Sequence, residues 1–340
     1  MAGQDWTKLA RIDPEFEQLL KDLPPLPSLG DPAGIPALRG RLSAAKRDMN
    51  AKLLGSSTAG VSISNATIPA RDGYQIPARI YRPSSPPSEG SPLVVMIHGG
   101  GFCLGDLENE ELTGRNFAKE LGCVVVNIDY RLAPEHPFPA GVNDAWDAVK
   151  WAAANASSLG ADPSKGFIVG GPSAGGNLSA VVGTLARDEN LSPPLTGLFL
   201  QIPSLTNSYD PPAKYASDLQ SFKQNENAPV LDRAAIDLFF GAYNPDRDSR
   251  LFNLYSEKDP VSRAGLPPIY FQVCGLDPLR DDALVFEREV RTEYGTPTKL
   301  QIYPGLPHSF WSFFPQLETS KKWVGDTLEG MKWLLETEKK

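Results

Sequence analysis

The serine at position 173 stands in a setting that favours nucleophilic chemistry. Gly171 and Gly175 flank it in the pattern Gly-x-Ser-x-Gly, which alone is weak because both residue types are common. A short apolar stretch over residues 166–169 precedes the pattern, however, and helical spacing begins at Ala174. A strand, a sharp turn and a helix together lift a serine out of a sheet towards a substrate. We therefore predict that Ser173 is a nucleophile rather than part of an ordinary turn before a helix.

Three consecutive glycines follow His98 and a predicted strand over residues 93–97. Glycines allow the backbone to approach a ligand closely and to present free N–H groups, and acyl transfer needs such donors for the negative charge that develops on the carbonyl oxygen. We predict Gly100, Gly101 and Ala174 as the donors of an oxyanion hole. A phosphate-binding loop is the alternative, but the G-x-G-x-x-G spacing and the lysine of a P-loop are both missing.

The histidine that completes such a site can be assigned by elimination. The chain has three histidines, His98, His136 and His308, and in this strand–turn–helix arrangement the order along the chain is serine, acid, histidine. Only His308 follows Ser173, and it lies on a predicted loop after the last predicted strand, over residues 299–303. We predict His308 as the general base, His98 as a residue that holds the glycine loop, and His136 as structural.

The acid is expected at the carboxyl end of a core strand, where the sites of open α/β sheets form. A predicted strand over residues 269–274 is followed by Asp277, the first carboxylate beyond it. Asp281 and Asp282 come a few residues later, at the predicted start of a helix, where helix capping is a sufficient reason for a carboxylate. We therefore favour Asp277.

Apolar strands and helical segments alternate along most of the chain, which predicts an α/β fold with a mostly parallel sheet between helices. Strands over 61–69 and 75–81, joined by a turn at Asp72, add an antiparallel start. No strand pattern interrupts the stretch between Leu205 and Pro267, and long excursions of this kind commonly carry function. We expect a core over 55–205 and 255–340, with a helical cap over 1–54 and 206–254.

Composition excludes several classes of function. A net charge of −8 disfavours nucleic acid as a partner, and no apolar run approaches the roughly 20 residues of a membrane span. The three cysteines have no spacing typical of zinc sites or disulfide frameworks, and Cys103, in the glycine loop, should be the most accessible. We expect a cytoplasmic protein without metal or cofactor.

Four ordered motifs carry a resemblance to a known family. They are HGGGF at 98–102, DYRLAPEHPFP at 129–139, GPSAGGN at 171–177 and DPLRDD at 277–282. The sequence resembles the hormone-sensitive-lipase-like carboxylesterases. The resemblance implies an α/β-hydrolase core with a helical cap and hydrolysis of carboxylic esters without cofactor, on short or medium acyl chains or on an ester of secondary metabolism. Pro172 departs from it, because aspartate commonly precedes the serine in the family.

The partner implied is a small-molecule ester, with assembly into a homodimer left open. Candidates for the wall of a substrate pocket are Phe102, Leu104 and Leu205, although core packing explains such residues equally well.

Two alternatives to an esterase remain. Gibberellin receptors resemble the same family but have lost the histidine and bind ligand without turnover. A lactonase or an acyltransferase would use the same three residues on another bond or acceptor.

Overall fold

The computed structural model describes residues 5–23, 29, 34–54, 58–206 and 208–337. Parts of the expected cap, residues 1–4, 24–28, 30–33 and 207, lie outside the described residues, and so do residues 55–57 and 338–340 of the expected core.

The strands are β1 (Val61–Pro69), β2 (Gln75–Pro83), β3 (Leu93–Ile97), β4 (Val124–Ile128), β5 (Phe167–Pro172), β6 (Gly197–Gln201), β7 (Ile269–Leu276) and β8 (Thr298–Pro307). The α-helices are α1 (Pro14–Asp22), α2 (Ile35–Leu54), α3 (Glu111–Leu121), α4 (Ala140–Leu159), α5 (Ala174–Asp188), α6 (Ser221–Gln224), α7 (Arg233–Tyr243), α8 (Arg280–Thr292), α9 (Phe310–Phe313) and α10 (Glu318–Thr337).

The eight strands form one sheet in the order β1-β2-β4-β3-β5-β6-β7-β8. The β2 strand runs antiparallel to both β1 and β4, and the pairs from β3 to β8 are parallel. Every residue of β3, β4, β5 and β6 is buried, because helices cover both faces of the sheet. The predicted mixed, mostly parallel α/β sheet is therefore confirmed.

Four parallel strands end at the same edge of the sheet, and each is followed by one of the residues singled out in the sequence. His98 follows β3, Ser173 follows β5, Asp277 follows β7, and His308 follows β8. Because the carboxyl ends of parallel strands share one edge, four segments that are distant in sequence meet there.

The excursion between β6 and β7 contains α6 and α7 and, in its described residues, no strand. Helix α7 begins at an N-cap, Asp232, whose side chain accepts a hydrogen bond from the amide of Ala235 (2.7 Å), and it ends where Asn244 adopts the left-handed conformation. Both α7 and α2 border the carboxyl edge of the sheet, and both contribute to the wall of a cavity there.

Helix α1 lies away from this cavity, although we expected the cap to include it. Its Phe16 is fully buried in a cluster with Cys274, Tyr303 and Trp323, and its ring lies 5.0 Å from that of Phe314. Helix α1 therefore packs beside β7 and β8, and none of its residues lines the cavity. None of the helices in the described part of the chain is long and apolar enough to cross a membrane.

Candidate active site

The turn that carries Ser173 is possible only because glycines surround it. Ser173 has φ 56° and ψ −118°, a sparsely populated conformation that costs about 1–3 kcal/mol. A Cβ atom on Gly171 or on Gly175 would lie 1.9 Å from the carbonyl oxygen of Ile97, at the end of β3. The amide of Ser173 donates to the Gln201 carbonyl (2.8 Å) at the end of β6. Neighbouring strands thus hold the serine in its strained conformation.

Ser173, His308 and Asp277 lie in one hydrogen-bonded line. Oγ of Ser173 is 2.9 Å from Nε2 of His308, and Nδ1 of His308 is 2.7 Å from Oδ2 of Asp277. The second carboxylate oxygen, Oδ1, accepts the amide of Leu279 at 2.8 Å, which fixes the orientation of the carboxylate. All three residues are buried, and Asp277 is fully inaccessible. The structure therefore brings together the three residues predicted from the sequence.

The glycine loop lies against the serine. A Cβ atom on Gly99 would stand 3.4 Å from that of Ser173, and one on Gly101, where φ is +59°, would stand 2.5 Å from the ring of Phe239. Among the described residues, none accepts a hydrogen bond from the amide of Gly100, Gly101 or Ala174. All three line the cavity beside Ser173, so their N–H groups are free to serve an oxyanion there.

Aromatic and polar contacts support the glycine loop from behind. The ring of His98 stacks on that of Tyr130 (4.4 Å between centroids), and Nδ1 of His98 donates to the Gly99 carbonyl at 2.8 Å. The Tyr130 hydroxyl in turn donates to the His98 carbonyl (3.1 Å). His98 therefore has the loop-holding contacts expected for it. The ring on which it stacks, that of Tyr130, belongs to the motif DYRLAPEHPFP.

Helix α2 is fastened to the segment that follows the glycines. Arg39 donates through Nε to the Cys103 carbonyl (2.8 Å) and through Nη2 to the Ala133 carbonyl (2.7 Å). Asn50 donates to the Glu108 carbonyl at 2.9 Å. No sequence pattern indicated these contacts, because arginine and asparagine on a helix are most often solvated.

The expectation that Cys103 is the most accessible cysteine is wrong. Its side chain is fully buried, and its thiol lies 3.7 Å from the carbonyl oxygen of Phe239 on α7. Burial raises the pKa of the Cys103 thiol to about 12. Helix α7 of the excursion covers the glycine loop, and the sequence of the loop alone does not reveal this contact.

Asp281 and Asp282 lie in the first turn of α8, where capping was the expected role, but their carboxylates bind amides of other segments. One oxygen of Asp281 accepts the amides of Gln220 (2.8 Å) and Ser221 (2.6 Å), and one oxygen of Asp282 accepts those of Leu205 (3.0 Å) and Thr206 (3.1 Å). The two neighbouring carboxylates thus bind two separate parts of the excursion. Burial raises the pKa of Asp282 to about 7.

Asn177, the last residue of the motif GPSAGGN, binds both ends of the excursion between β6 and β7. Its amide nitrogen donates to the carbonyls of Ser204 (2.7 Å) and Phe252 (2.8 Å), and the side chain is buried. An asparagine in the first turn of α5, among glycines and apolar residues, was the signal that could have indicated this role.

A cavity of about 550 Å³ lies over Ser173 and His308. Phe102 and Leu104 belong to its wall, as predicted from the sequence. Leu205 does not: it is fully buried in the main core, with its amide bound to Asp282. The last residue of β6 precedes it by only four positions, so the chain is still within the packed interior there and has not yet reached the cavity.

Pro172 is the last residue of β5, paired with Gln201 of β6, and it lines the cavity beside Gly99. Proline removes one N–H donor from a sheet, and here that loss falls at a strand end. The turn that carries Ser173 therefore accommodates Pro172 and keeps the hydrogen bond that holds Ser173.

Comparisons with known proteins identify the family of this chain. A family model for the α/β-hydrolase fold matches residues 94–312. Carboxylesterase NlhH of Mycobacterium tuberculosis is 35% identical over 94% of this chain and 95% of its own length. This chain is a hormone-sensitive-lipase-like α/β-hydrolase. An AB hydrolase superfamily protein of Schizosaccharomyces pombe is 37% identical to this hydrolase over 100% of the chain and 99% of its own length.

Among solved structures, that of vibralactone cyclase matches this α/β-hydrolase with a TM-score of 0.88. The two share 34% sequence identity, and the match covers 97% of this chain and 96% of the cyclase chain. The α/β-hydrolase fold thus extends over nearly the whole molecule, including the helices at the carboxyl edge of the sheet.

Proposed function

We propose that this hydrolase cleaves carboxylic esters through an acyl-enzyme on Ser173. The observation that carries the proposal is the line of contacts from Ser173 Oγ to His308 Nε2 (2.9 Å) and from His308 Nδ1 to Asp277 Oδ2 (2.7 Å). The carboxylesterase relative supports ester hydrolysis as the activity.

In the first stage, Nε2 of His308 takes the proton of Ser173 as Oγ attacks the ester carbonyl. Asp277, which accepts from Nδ1, keeps the imidazole in the tautomer that has a free Nε2 and stabilises the imidazolium that forms. The carbonyl oxygen becomes negative and receives hydrogen bonds from the amides of Gly100, Gly101 and Ala174. One such donor contributes about 3–4 kcal/mol to lowering the barrier.

In the second stage, the imidazolium of His308 gives its proton to the leaving alcohol, and the acyl group remains on Ser173. A water molecule then gives a proton to His308 and attacks the acyl carbonyl, which releases the acid and restores the serine. The same amides stabilise the second tetrahedral intermediate.

The cap in this proposal consists of α2 and the excursion between β6 and β7, and the substrate lies between it and the sheet edge. Phe102 and Leu104 would contact the substrate through their apolar side chains. The cavity of about 550 Å³ has room for a short or medium acyl chain together with its alcohol.

A second candidate is acyl transfer within one molecule, in which a hydroxyl of the substrate displaces Ser173 and a lactone leaves. Similarity to vibralactone cyclase favours this candidate. A ligand receptor is disfavoured, because such a receptor has no use for the hydrogen-bonded His308.

Hydrolysis of p-nitrophenyl acetate and butyrate tests the proposal, with product analysis by mass spectrometry to separate acid from lactone. We expect turnover by the wild type and its loss in Ser173→Ala. Binding of ester without turnover by the wild type, and equal binding by Ser173→Ala, would contradict the hydrolase mechanism and favour a receptor.

A further inference from the structure

Three charged side chains in the cavity wall have no part in the mechanism above, and one of them, Lys321, is exposed and paired with Glu318. The other two are Lys46 of α2 and Glu110, which directly precedes α3. Glu110 is 6% exposed and Lys46 is partly buried. Burial raises the pKa of Glu110 and lowers the pKa of Lys46, although attraction between the two opposes both shifts. Charges in such a place are unfavourable unless a partner satisfies them.

The surrounding protein satisfies the two side chains only in part. Lys46 Nζ is 3.3 Å from the Ser312 hydroxyl, and the nearby Thr113 side chain favours the charged form of Glu110 and so opposes the rise in its pKa. In the described parts of the chain, neither has an oppositely charged group in direct contact. An ammonium has three N–H donors and a carboxylate about four acceptor positions. Both side chains therefore keep hydrogen-bonding capacity that faces the cavity.

Other polar side chains stand beside the two charges, although the same helices also bring apolar residues to the wall. Ser43 stands one turn before Lys46 on α2, and Thr113 and Asn116 follow Glu110 at intervals of three residues. Much of the remaining wall is apolar and includes Leu42, Met49, Leu112, Ile236, Phe239 and Phe240. A ligand that fills the cavity therefore meets mostly hydrocarbon, together with a small group of hydrogen-bonding side chains around Lys46 and Glu110.

We propose that Lys46 and Glu110 bind a hydroxyl group of an otherwise apolar ester. This inference rests on the proposed function and names the substrate class of that site. A hydroxyl accepts a hydrogen bond from the ammonium and donates one to the carboxylate, so it satisfies both.

Other ligand groups fit less well. An unsubstituted alkyl chain adds no hydrogen bond to either charge. An anionic group would accept from Lys46 but would stand beside the carboxylate of Glu110, and Asp106 and Glu108 add to the negative potential around Lys46. A neutral oxygenated chain is the class that the wall selects.

A panel of p-nitrophenyl esters tests the inference on the acyl side. Octanoate is compared with 3-, 6- and 8-hydroxyoctanoate and with the suberate monoester, and kcat/KM is measured for each. Butyrate esters of octanol and of octane-1,8-diol test the alcohol side. We expect one hydroxylated ester to exceed its plain counterpart at least about tenfold in kcat/KM, the range of a hydrogen bond to a charged group, and the monoester to fall below octanoate.

Lys46→Met and Glu110→Gln should each reduce this preference about tenfold while they leave kcat/KM for octanoate within a few-fold of wild type. Lys52→Met, on the exposed part of α2, and Glu120→Gln, at the exposed end of α3, are matched controls that should keep the preference. Melting temperatures establish that all four variants are folded.

Equal kcat/KM for plain and hydroxylated esters on both sides would overturn the inference while leaving the proposed function intact. So would a preference that survives both Lys46→Met and Glu110→Gln. Failure of the proposed function looks different, because then no ester of the panel is turned over and Ser173→Ala behaves as the wild type does.

Discussion

Replacing Asp277 by asparagine should abolish most of the activity through a change of tautomer in His308. Oδ1 of Asp277 accepts the amide of Leu279 (2.8 Å), so an asparagine must place its carbonyl oxygen there. Its NH₂ group then faces Nδ1 of His308, where Oδ2 now stands at 2.7 Å. Nδ1 becomes an acceptor and Nε2 carries the proton. Nε2 can then no longer take the proton of Ser173.

The same substitution in a serine protease triad lowers kcat about 10⁴-fold without disturbing the geometry. We expect a similar loss here, because the asparagine fills the same volume and keeps the bond to Leu279. The assay is kcat for p-nitrophenyl butyrate at neutral pH, with circular dichroism and the melting temperature to establish that the fold is unchanged. Asp48→Asn, at an exposed position of α2, is the matched control and should retain wild-type kcat.

A folded Asp277→Asn variant with kcat within tenfold of wild type would refute this reasoning. It would mean either that the orientation of the side chain is not set by Leu279 or that His308 is not the general base.

Further outcomes follow from the contacts around the site. Arg39→Met removes two charged hydrogen bonds to carbonyls and should lower the free energy of unfolding in urea by about 2–4 kcal/mol; an unchanged free energy would contradict the bracing role of Arg39. Asp282 has its pKa raised from 3.8 to about 7. Its protonated form therefore favours the folded state below about pH 4, and this contribution is lost as the pH rises through 7. The free energy of unfolding, measured in urea, should therefore decline for the wild type between about pH 4 and pH 7 but not, from this cause, for Asp282→Asn. If the difference in this free energy between wild type and variant is the same at every pH, Asp282 does not make the contribution. Cys103, Cys123 and Cys274 are buried, so Ellman's reagent should react with none of them until the protein unfolds; rapid reaction of the native protein would be the contrary result.

The residues of the candidate site could be found from the sequence because each follows directly on a strand. Ser173, Asp277 and His308 come one residue after the ends of β5, β7 and β8, and the apolar runs that mark those strands are local features. The rule that parallel strands end at one edge then brings the three side chains together. Local pattern and topology were sufficient here.

Contacts between distant segments could not be found in this way. Arg39 and Cys103 are 64 residues apart, and neither has a local pattern that points to the other. Leu205 and Cys103 have apolar or weakly polar side chains, which are common both in a core and in a cavity wall. The packing of the excursion decides which of the two they occupy. Strand β8 extends to Pro307, beyond the predicted 299–303, because Pro307 pairs with Leu276 after an irregularity in β7.

The proposed mechanism requires that Ser173 is a nucleophile activated by His308. Its most direct test is the intact mass of the protein after treatment with a fluorophosphonate, followed by peptide mapping. We expect one adduct per chain on Ser173, formed rapidly in the wild type and absent in Ser173→Ala. A folded wild-type protein that remains unlabelled at Ser173 would contradict the mechanism.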